Sequence, residues 1–166
     1  MTGAQDMKHV GFAIAAALVL ASCADPSTTD SSDRDETGEI VEGGELGVFA
    51  VQEGDCVNWP DSADGVSSFE SVACDVAHDA EIYELFDIAE TDEFPGTTIV
   101  ESEAEQGCLD AFEPFIGIDY QQSQWFFTFL APSEGTWDAG DREVICLVEP
   151  AQGEPQLTMS LEGVAT

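Results

Sequence analysis

Cationic side chains are almost missing from this sequence. Lysine and arginine together number 3 against 35 aspartates and glutamates, and the formal net charge is −32 at pH 7. Proteins that bind nucleic acid or anionic lipid headgroups neutralise phosphate with lysine and arginine. The composition therefore argues against a nucleic-acid partner. It also predicts a folded body that is soluble and stands off an acidic membrane surface.

Several motifs of metal sites and enzymes are also missing. No cysteine pair has the short Cys-x-x-Cys spacing of zinc sites, and no Gly-x-Ser-x-Gly elbow presents a serine nucleophile. The acidic pairs Asp61 with Asp64 and Asp138 with Asp141 lack the alternating aspartate loop of a calcium site. We expect these carboxylates to form turns, and we predict no metal ion and no cofactor.

Long apolar runs are lacking, and the main one lies near the N-terminus at residues 10–20. At roughly 11 residues it is shorter than the ~20 that a helix needs to cross a bilayer. It follows Lys8 and precedes residues 20–23, which read Leu-Ala-Ser-Cys. A basic residue, a short apolar run and a small-residue site are typical of a secretory signal.

Residues 20–23 resemble a bacterial lipobox. The resemblance implies that Cys23 carries a lipid on its thiol and that cleavage removes residues 1–22 as a signal peptide. Two or more acyl chains anchor a protein stably. We therefore expect a lipid anchor in the cell membrane, with the protein on its extracytoplasmic face. An ordinary cleaved signal and an uncleaved anchor are the alternatives.

Residues 23–45 are nearly all acidic or small and polar, with too few apolar groups to offset the entropy of ordering. We predict an acidic disordered tether here, followed by one small domain over residues 46–163.

Four cysteines besides Cys23 lie in this predicted extracytoplasmic chain: Cys56, Cys74, Cys108 and Cys146. An even number of cysteines outside the cytoplasm indicates disulfides. Three pairings are possible, and we favour Cys56 with Cys74 and Cys108 with Cys146. The second pair would link a helix to a strand.

The fold class predicted is α+β, a mostly antiparallel sheet with one main helix, stapled by two disulfides. The helix is expected to begin with a capping box of Thr98 and Glu101 and to end near Pro114 and Gly117. Strands are expected over residues 48–51, 66–74, 80–88, 125–130, 143–148 and 157–161, with 125–130 at the sheet's centre. Within 80–88, alternation places Ile82 and Phe86 on one face and Tyr83 on the other.

One order of motifs runs through the domain. It comprises Gly54, Asp55 and Cys56; Cys74, then His78, Asp79, Ala80, Glu81 and Ile82; Pro95 and Gly96; Cys108; Trp137, Gly140, Asp141, Arg142 and Cys146; and a closing stretch from Leu157 to Gly163. This order resembles the septum formation domain family of actinobacterial envelope proteins and lipoproteins. The resemblance implies an extracytoplasmic domain linked by name to division, and it carries no reaction and no catalytic residues.

His78 is the one histidine left after signal cleavage, so imidazole-activated catalysis would have to use it. We interpret it as a structural residue that hydrogen-bonds a turn carbonyl, and we expect Arg142 to form an ion pair. Trp59, Trp125 and Trp137 are candidates for a recognition surface, and core packing is the alternative that we favour for Trp125. The predicted function is a non-catalytic binding or accessory module of the envelope, whose partner is an envelope protein or a wall component. The alternative is a wall-polymer hydrolase that uses His78 and carboxylates.

Overall fold

The computed structural model describes residues 30–61, 65–88, 91 and 93–166. The strands are β1 (Asp33–Arg34), β2 (Ile40–Glu42), β3 (Glu45–Gly47), β4 (Cys56–Asn58), β5 (Ser68–Val72), β6 (Ala80–Asp87), β7 (Phe126–Leu130) and β8 (Glu143–Glu149). The helices are α1 (Thr97–Ile116) and α2 (Glu134–Asp138), with single 3-10 turns at Val48–Ala50 and Tyr120–Gln122.

Six strands form one antiparallel sheet in the order β3-β5-β4-β6-β8-β7, and β1 and β2 form a separate antiparallel pair. Helix α1 packs on β6 and β7, so the helix covers one face of the sheet. The α+β prediction of a mostly antiparallel sheet with one main helix is confirmed.

Helix α1 presents one apolar stripe to the sheet. Its buried residues are Val100, Ala104, Cys108, Phe112 and Ile116, which recur at helical spacing. The predicted end at Gly117 is confirmed, because this glycine has the left-handed φ of 88° and donates its N–H to Glu113. The predicted capping box is wrong: Gly96 occupies the N-cap with a φ of 100° and offers no side chain, and α1 begins one residue before Thr98.

Both predicted disulfides are present. Cys108 on α1 is bonded to Cys146 on β8, and both residues are completely buried. Cys56 on β4 is bonded to Cys74 in the loop that follows β5. The Cys108–Cys146 disulfide staples the helix to the sheet, and the Cys56–Cys74 disulfide fixes the loop after β5 to the first residue of β4.

The prediction that residues 125–130 form the centre of the sheet is wrong. Among the described strands, β7 pairs with β8 alone and lies at the edge of the sheet, while β5, β4, β6 and β8 lie inside it. The apolar residues of β7 are covered on both faces even though the strand is at the edge. Phe127 and Phe129 pack against the helix-side core, whereas Leu130 packs against the opposite core and Phe126 is 48% exposed.

The strand predicted over residues 80–88 is present and lies inside the sheet, but the faces predicted for its side chains are wrong. The register between β6 and β8 shifts between Ile82 and Glu84, so Tyr83 is an extra residue at a β-bulge. Ile82 therefore packs on the face without the helix, and Tyr83 and Phe86 both pack on the helix side.

Two further predicted strands are absent from the described residues. Val48–Ala50 is a 3-10 turn, and residues 157–161 pair with the sheet only through a bridge between Leu157 and His78. Leu157 and Leu161 are nevertheless buried, while Met159 is 54% exposed. The alternation of apolar residues in this tail therefore predicted two buried residues correctly, although the segment that carries them is irregular.

The predicted tether is wrong for the part from residue 30 onward, where β1, β2 and the start of β3 lie. The Arg34 guanidinium forms two hydrogen bonds with the Asp55 carboxylate, of which Nη2 to Oδ2 measures 2.8 Å. Ile40 is buried in the core on the helix-free face. One ion pair and one buried side chain thus order a segment whose composition resembles a disordered one.

Candidate functional site

His78 lies two residues before the start of β6 and is fully buried. Its backbone N–H donates to the Leu157 carbonyl at 3.0 Å, and its own carbonyl accepts from the Leu157 N–H at 2.9 Å. The ring Nδ1 lies 2.7 Å from the carbonyl of Val76, which assigns the proton to Nδ1 because a carbonyl only accepts. Burial lowers the pKa of His78, so the ring is neutral near pH 7. The hydrogen bond to a turn carbonyl is the one the sequence predicted.

The other ring nitrogen, Nε2, is buried without a hydrogen-bond partner among the described residues. The neighbouring Asp79 does not orient the ring. Its carboxylate instead accepts from the backbone N–H of Trp59 at 3.0 Å and from the Gln156 side chain at 2.9 Å. His78 thus has neither a free path to solvent nor a carboxylate hydrogen-bonded to it in the described structure.

Asp79 faces a surface cleft of about 500 Å³, which we name the Trp59 cleft. Its lining residues are Trp59, Asp79, Glu149, Pro150, Ala151, Gln152, Gly153, Glu154 and Gln156. The Trp59 indole N–H donates to the Glu149 carboxylate at 3.4 Å, and the Trp59 ring packs against Phe69 at 5.5 Å between centroids. These contacts hold the indole in place at the wall of the cleft.

A second cavity of about 570 Å³, the Trp125 pocket, adjoins the first. The two cavities share Pro150, Ala151, Glu154 and Gln156 as lining residues. Trp125 and the exposed Met159 supply apolar area to the pocket. The Trp125 indole nitrogen is buried and has no hydrogen-bond partner among the described residues. We call the cleft and the pocket together the two-tryptophan surface.

Trp137 does not belong to this surface, which corrects the grouping of three tryptophans. It is 2% exposed on α2 and packs edge-on against Phe94 at 5.6 Å. The Arg142 guanidinium lies 3.7 Å above the Trp137 ring. This stacking is a cation–π contact inside the core.

The ion pair predicted for Arg142 is also absent from the described residues, where salt bridges involve Arg34 alone. Arg142 donates to the carbonyls of Trp137 at 2.9 Å, Asp141 at 2.6 Å and Thr91 at 3.3 Å. The guanidinium satisfies backbone acceptors around α2. Its role in the fold is to hold this loop against the ring of Trp137.

The acidic turns behave in part as turn formers. The Asp141 carboxylate accepts from the backbone N–H of Glu143 at 3.1 Å. Asp64, the partner proposed for Asp61, lies outside the described residues. Within the described part of the chain, one set of three metal-ligating residue types has donor atoms within 4.8 Å of one another: Cys56, Cys74 and Glu81. Its two sulfurs are bonded to each other, so they are not metal ligands in this state.

Glu81 is a buried carboxylate that the sequence analysis missed. It is 1% exposed and accepts from the Ser160 hydroxyl at 2.7 Å and from the Leu161 N–H at 2.6 Å. Burial raises the pKa of Glu81 despite these hydrogen bonds. No local pattern signals the role, because its partners lie about 80 residues later in the chain and in no regular strand.

The predicted lipidation site, Cys23, lies outside the described residues. Of the helices that are described, none has the length and hydropathy to cross a membrane.

Comparison with known proteins identifies the family. The family model described as septum formation matches residues 53–165. This range includes His78, both disulfides and the two-tryptophan surface. No curated protein and no solved structure matches the chain. Because the family match spans most of the sequence, the chain belongs to the septum formation family and has a division-related role in the cell envelope.

Proposed function

We propose that this protein is a lipid-anchored, extracytoplasmic accessory module of the envelope, which binds a division-related partner and catalyses no reaction. The partner is an envelope protein or a wall component, bound at the two-tryptophan surface. The observation that carries the proposal is the state of His78. Its side chain is fully buried, and its Nδ1 proton is committed to the Val76 carbonyl.

Catalysis by imidazole needs a ring nitrogen within hydrogen-bond reach of a nucleophile or a substrate proton. A buried His78 whose neighbour Asp79 bonds to other groups favours a structural role over the hydrolase alternative. Glycoside hydrolysis would further require two carboxylates that flank a scissile bond. In the Trp59 cleft, Asp79 and Glu149 already accept hydrogen bonds from Trp59.

The two-tryptophan surface has the composition of a recognition site. Trp59 and Trp125 are half-buried, so each presents part of a large ring that is already held in place. Rigid aromatic side chains contribute much of the binding energy at interfaces because little entropy is lost when they are covered. Glutamine and carboxylate side chains around the rings supply hydrogen-bond acceptors and donors that set orientation.

The proposed anchor explains how such a module is placed. A lipid on Cys23 would hold the chain at the outer face of the membrane, and the acidic body would stand off the anionic headgroups. Replacing Cys23 with alanine should release the protein from membranes or block its maturation. Unchanged fractionation and unchanged mass of the native protein would contradict the anchor.

Binding is tested with the double substitution Trp59→Ala and Trp125→Ala in the full chain. Loss of the rings should weaken binding to the envelope partner by roughly 30-fold, the equivalent of about 2 kcal/mol. The readouts are septal localisation of a fluorescent fusion and co-sedimentation with purified cell walls. Localisation without co-sedimentation indicates a protein partner, and co-sedimentation indicates a wall component.

Phe49→Ala is the matched control, because Phe49 is an aromatic residue that is 53% exposed and lines neither the Trp59 cleft nor the Trp125 pocket. It should bind and localise as the parent protein does. Normal localisation of the double tryptophan variant, or loss with Phe49→Ala instead, would remove the two-tryptophan surface from the proposal.

A further inference from the structure

The Cys56–Cys74 disulfide lies beside the buried carboxylate of Glu81. Cys56 and Glu81 are direct cross-strand partners on β4 and β6, so their side chains leave the sheet on the same face. One Glu81 carboxylate oxygen lies within 4.8 Å of both sulfurs. A disulfide that served only as a staple would not need a carboxylic acid at this distance, and burying that acid costs free energy.

The same disulfide is accessible from one side. A cleft of about 370 Å³ is lined by both cysteines and by Glu39, Ile40, Val41, Gly54, Val72, Ala73 and Asp75. Cys56 is completely buried, whereas Cys74 is half-buried. An incoming reagent therefore meets the Cys74 sulfur first, and Cys56 is the sulfur that leaves.

We propose that the Cys56–Cys74 disulfide is a thiol–disulfide exchange site for a dithiol reductant, with Glu81 as the proton donor to the departing Cys56 sulfur. This activity is independent of the binding function proposed above. It uses another cleft and other residues, so either proposal can fail without the other.

The exchange balances in two steps. A thiolate of the reductant attacks the Cys74 sulfur, the electron pair of the S–S bond passes to the Cys56 sulfur, and the Glu81 carboxylic acid gives that sulfur its proton. This leaves a mixed disulfide between the reductant and Cys74. The second thiolate of the reductant then attacks the reductant sulfur of that mixed disulfide and releases the Cys74 thiolate, which takes a proton from water. The reductant leaves as a disulfide, two electrons have moved, and water reprotonates Glu81.

The surroundings of Glu81 support the acid form. Burial is the main cause of its raised pKa, and the charge of Glu162 on the C-terminal tail adds to it. The other charged groups at the cleft are the carboxylates of Glu39 and Asp75. All three neighbours are acidic, so none of them stabilises the carboxylate of Glu81. They also favour a reductant whose reactive thiol lies on a neutral or basic surface.

The first experiment compares the two disulfides of the native full chain. Dithiothreitol is added without denaturant, and each cysteine is followed by alkylation and mass spectrometry. Cys56 and Cys74 should become alkylated at least about tenfold faster than Cys108 and Cys146, which are both completely buried and serve as the internal control. Equal rates for the two pairs would overturn the proposal, because both would then open only on unfolding.

The second experiment tests Glu81 through the pH profile, a readout that a purely structural role would not move. The rate of Cys56–Cys74 reduction is divided by the concentration of reductant thiolate. This corrected rate should fall about tenfold as pH rises and Glu81 loses its proton. Glu81→Gln keeps an oxygen that accepts from Leu161, and it should give a flat profile at the lower rate. Glu84→Gln on the same strand is the control and should keep the parent profile.

A parent-like pH profile in the Glu81→Gln variant would refute the role of Glu81. If that variant does not fold, trapping in single-cysteine variants decides the order of attack. Cys56→Ser, which leaves Cys74, should form a mixed disulfide with glutathione disulfide, and one glutathione leaves as its thiolate. Cys74→Ser, which leaves the buried Cys56, should form at least about tenfold less. Equal trapping of both would overturn the assignment of Cys74 as the attacked sulfur.

Discussion

The two faces of the six-stranded sheet are covered in different ways. On one face, α1 and the C-terminal tail bury a core that a disulfide crosses, with Cys108 and Cys146 at its centre. On the other face, Val57, Ile82 and Leu147 are covered by short segments from the N-terminal part of the chain. A cleft of about 660 Å³ opens there beside the exposed Phe49.

The two covers differ in how they are attached to the sheet: a disulfide holds the helix, whereas noncovalent contacts hold the N-terminal segments. The helix face cannot open without breaking a bond or unfolding the sheet, whereas the opposite face depends on the Arg34–Asp55 ion pair and on the burial of Ile40. Segments with few buried apolar contacts have the lowest local stability. We therefore expect the helix face to set global stability and the N-terminal segment to open first.

The largest effect should come from removing the helix-side disulfide. Replacing both Cys108 and Cys146 with alanine opens a link between residues 38 apart, which the chain-entropy model rates at about 4 kcal/mol. Urea denaturation followed by fluorescence measures this loss in the free energy of unfolding. Replacing Cys56 and Cys74, which are 18 apart, should cost about 3 kcal/mol. A smaller loss on the helix side would break the comparison.

The next effect concerns the opposite face. Arg34→Gln leaves the Asp55 carboxylate, which is 3% exposed, without its cationic partner. Removing one member of a buried pair costs about 3 kcal/mol, because the remaining charge keeps its desolvation penalty. Hydrogen exchange should accelerate in β1 and β2 while α1 stays protected. Equal acceleration in α1 would mean that the two faces unfold as one unit.

Some of these features could be predicted from the sequence and others could not. The helix with its apolar stripe and the strand that carries Cys146 were predictable, because each rests on a pattern within one element. The disulfide pairing was one of three that the sequence allowed, and the structure selects it. The edge position of β7 was not predictable. A strand with apolar residues such as Phe127 and Leu130 on both faces is typical of a sheet centre, and only tertiary packing shows that α1 and the opposite core cover it at the edge.

The site shows the same limit. The structural environment of His78 followed from its position before a strand, and Trp59 and Trp125 were named as candidates. Glu81 was missed because strand alternation treats a glutamate as a surface residue. Its partners belong to the irregular tail that ends the domain. Arg34 was assigned to a tether because composition does not reveal a single distant carboxylate.

The smallest effect is a pH dependence that His78 adds to the helix face, since its backbone pairs with the tail at Leu157. Burial lowers the pKa of His78 in the folded chain from its ordinary value of 6.5. Below about pH 6.5 the unfolded chain therefore binds a proton that the folded chain does not, and stability is lost as pH falls toward the folded pKa. The loss is at most about 1.4 kcal/mol per pH unit.

Glu81 acts in the opposite direction. Its raised pKa means that the folded chain binds a proton more readily than the unfolded chain, so its contribution to stability increases as pH falls. The two effects are separated by urea denaturation of the parent, His78→Gln and Glu81→Gln at pH 5.5 and 7. As pH falls from 7 to 5.5, the free energy of unfolding should decrease less in His78→Gln than in the parent, and it should decrease more in Glu81→Gln than in the parent. Parallel losses in all three would show that neither buried group changes its protonation on folding.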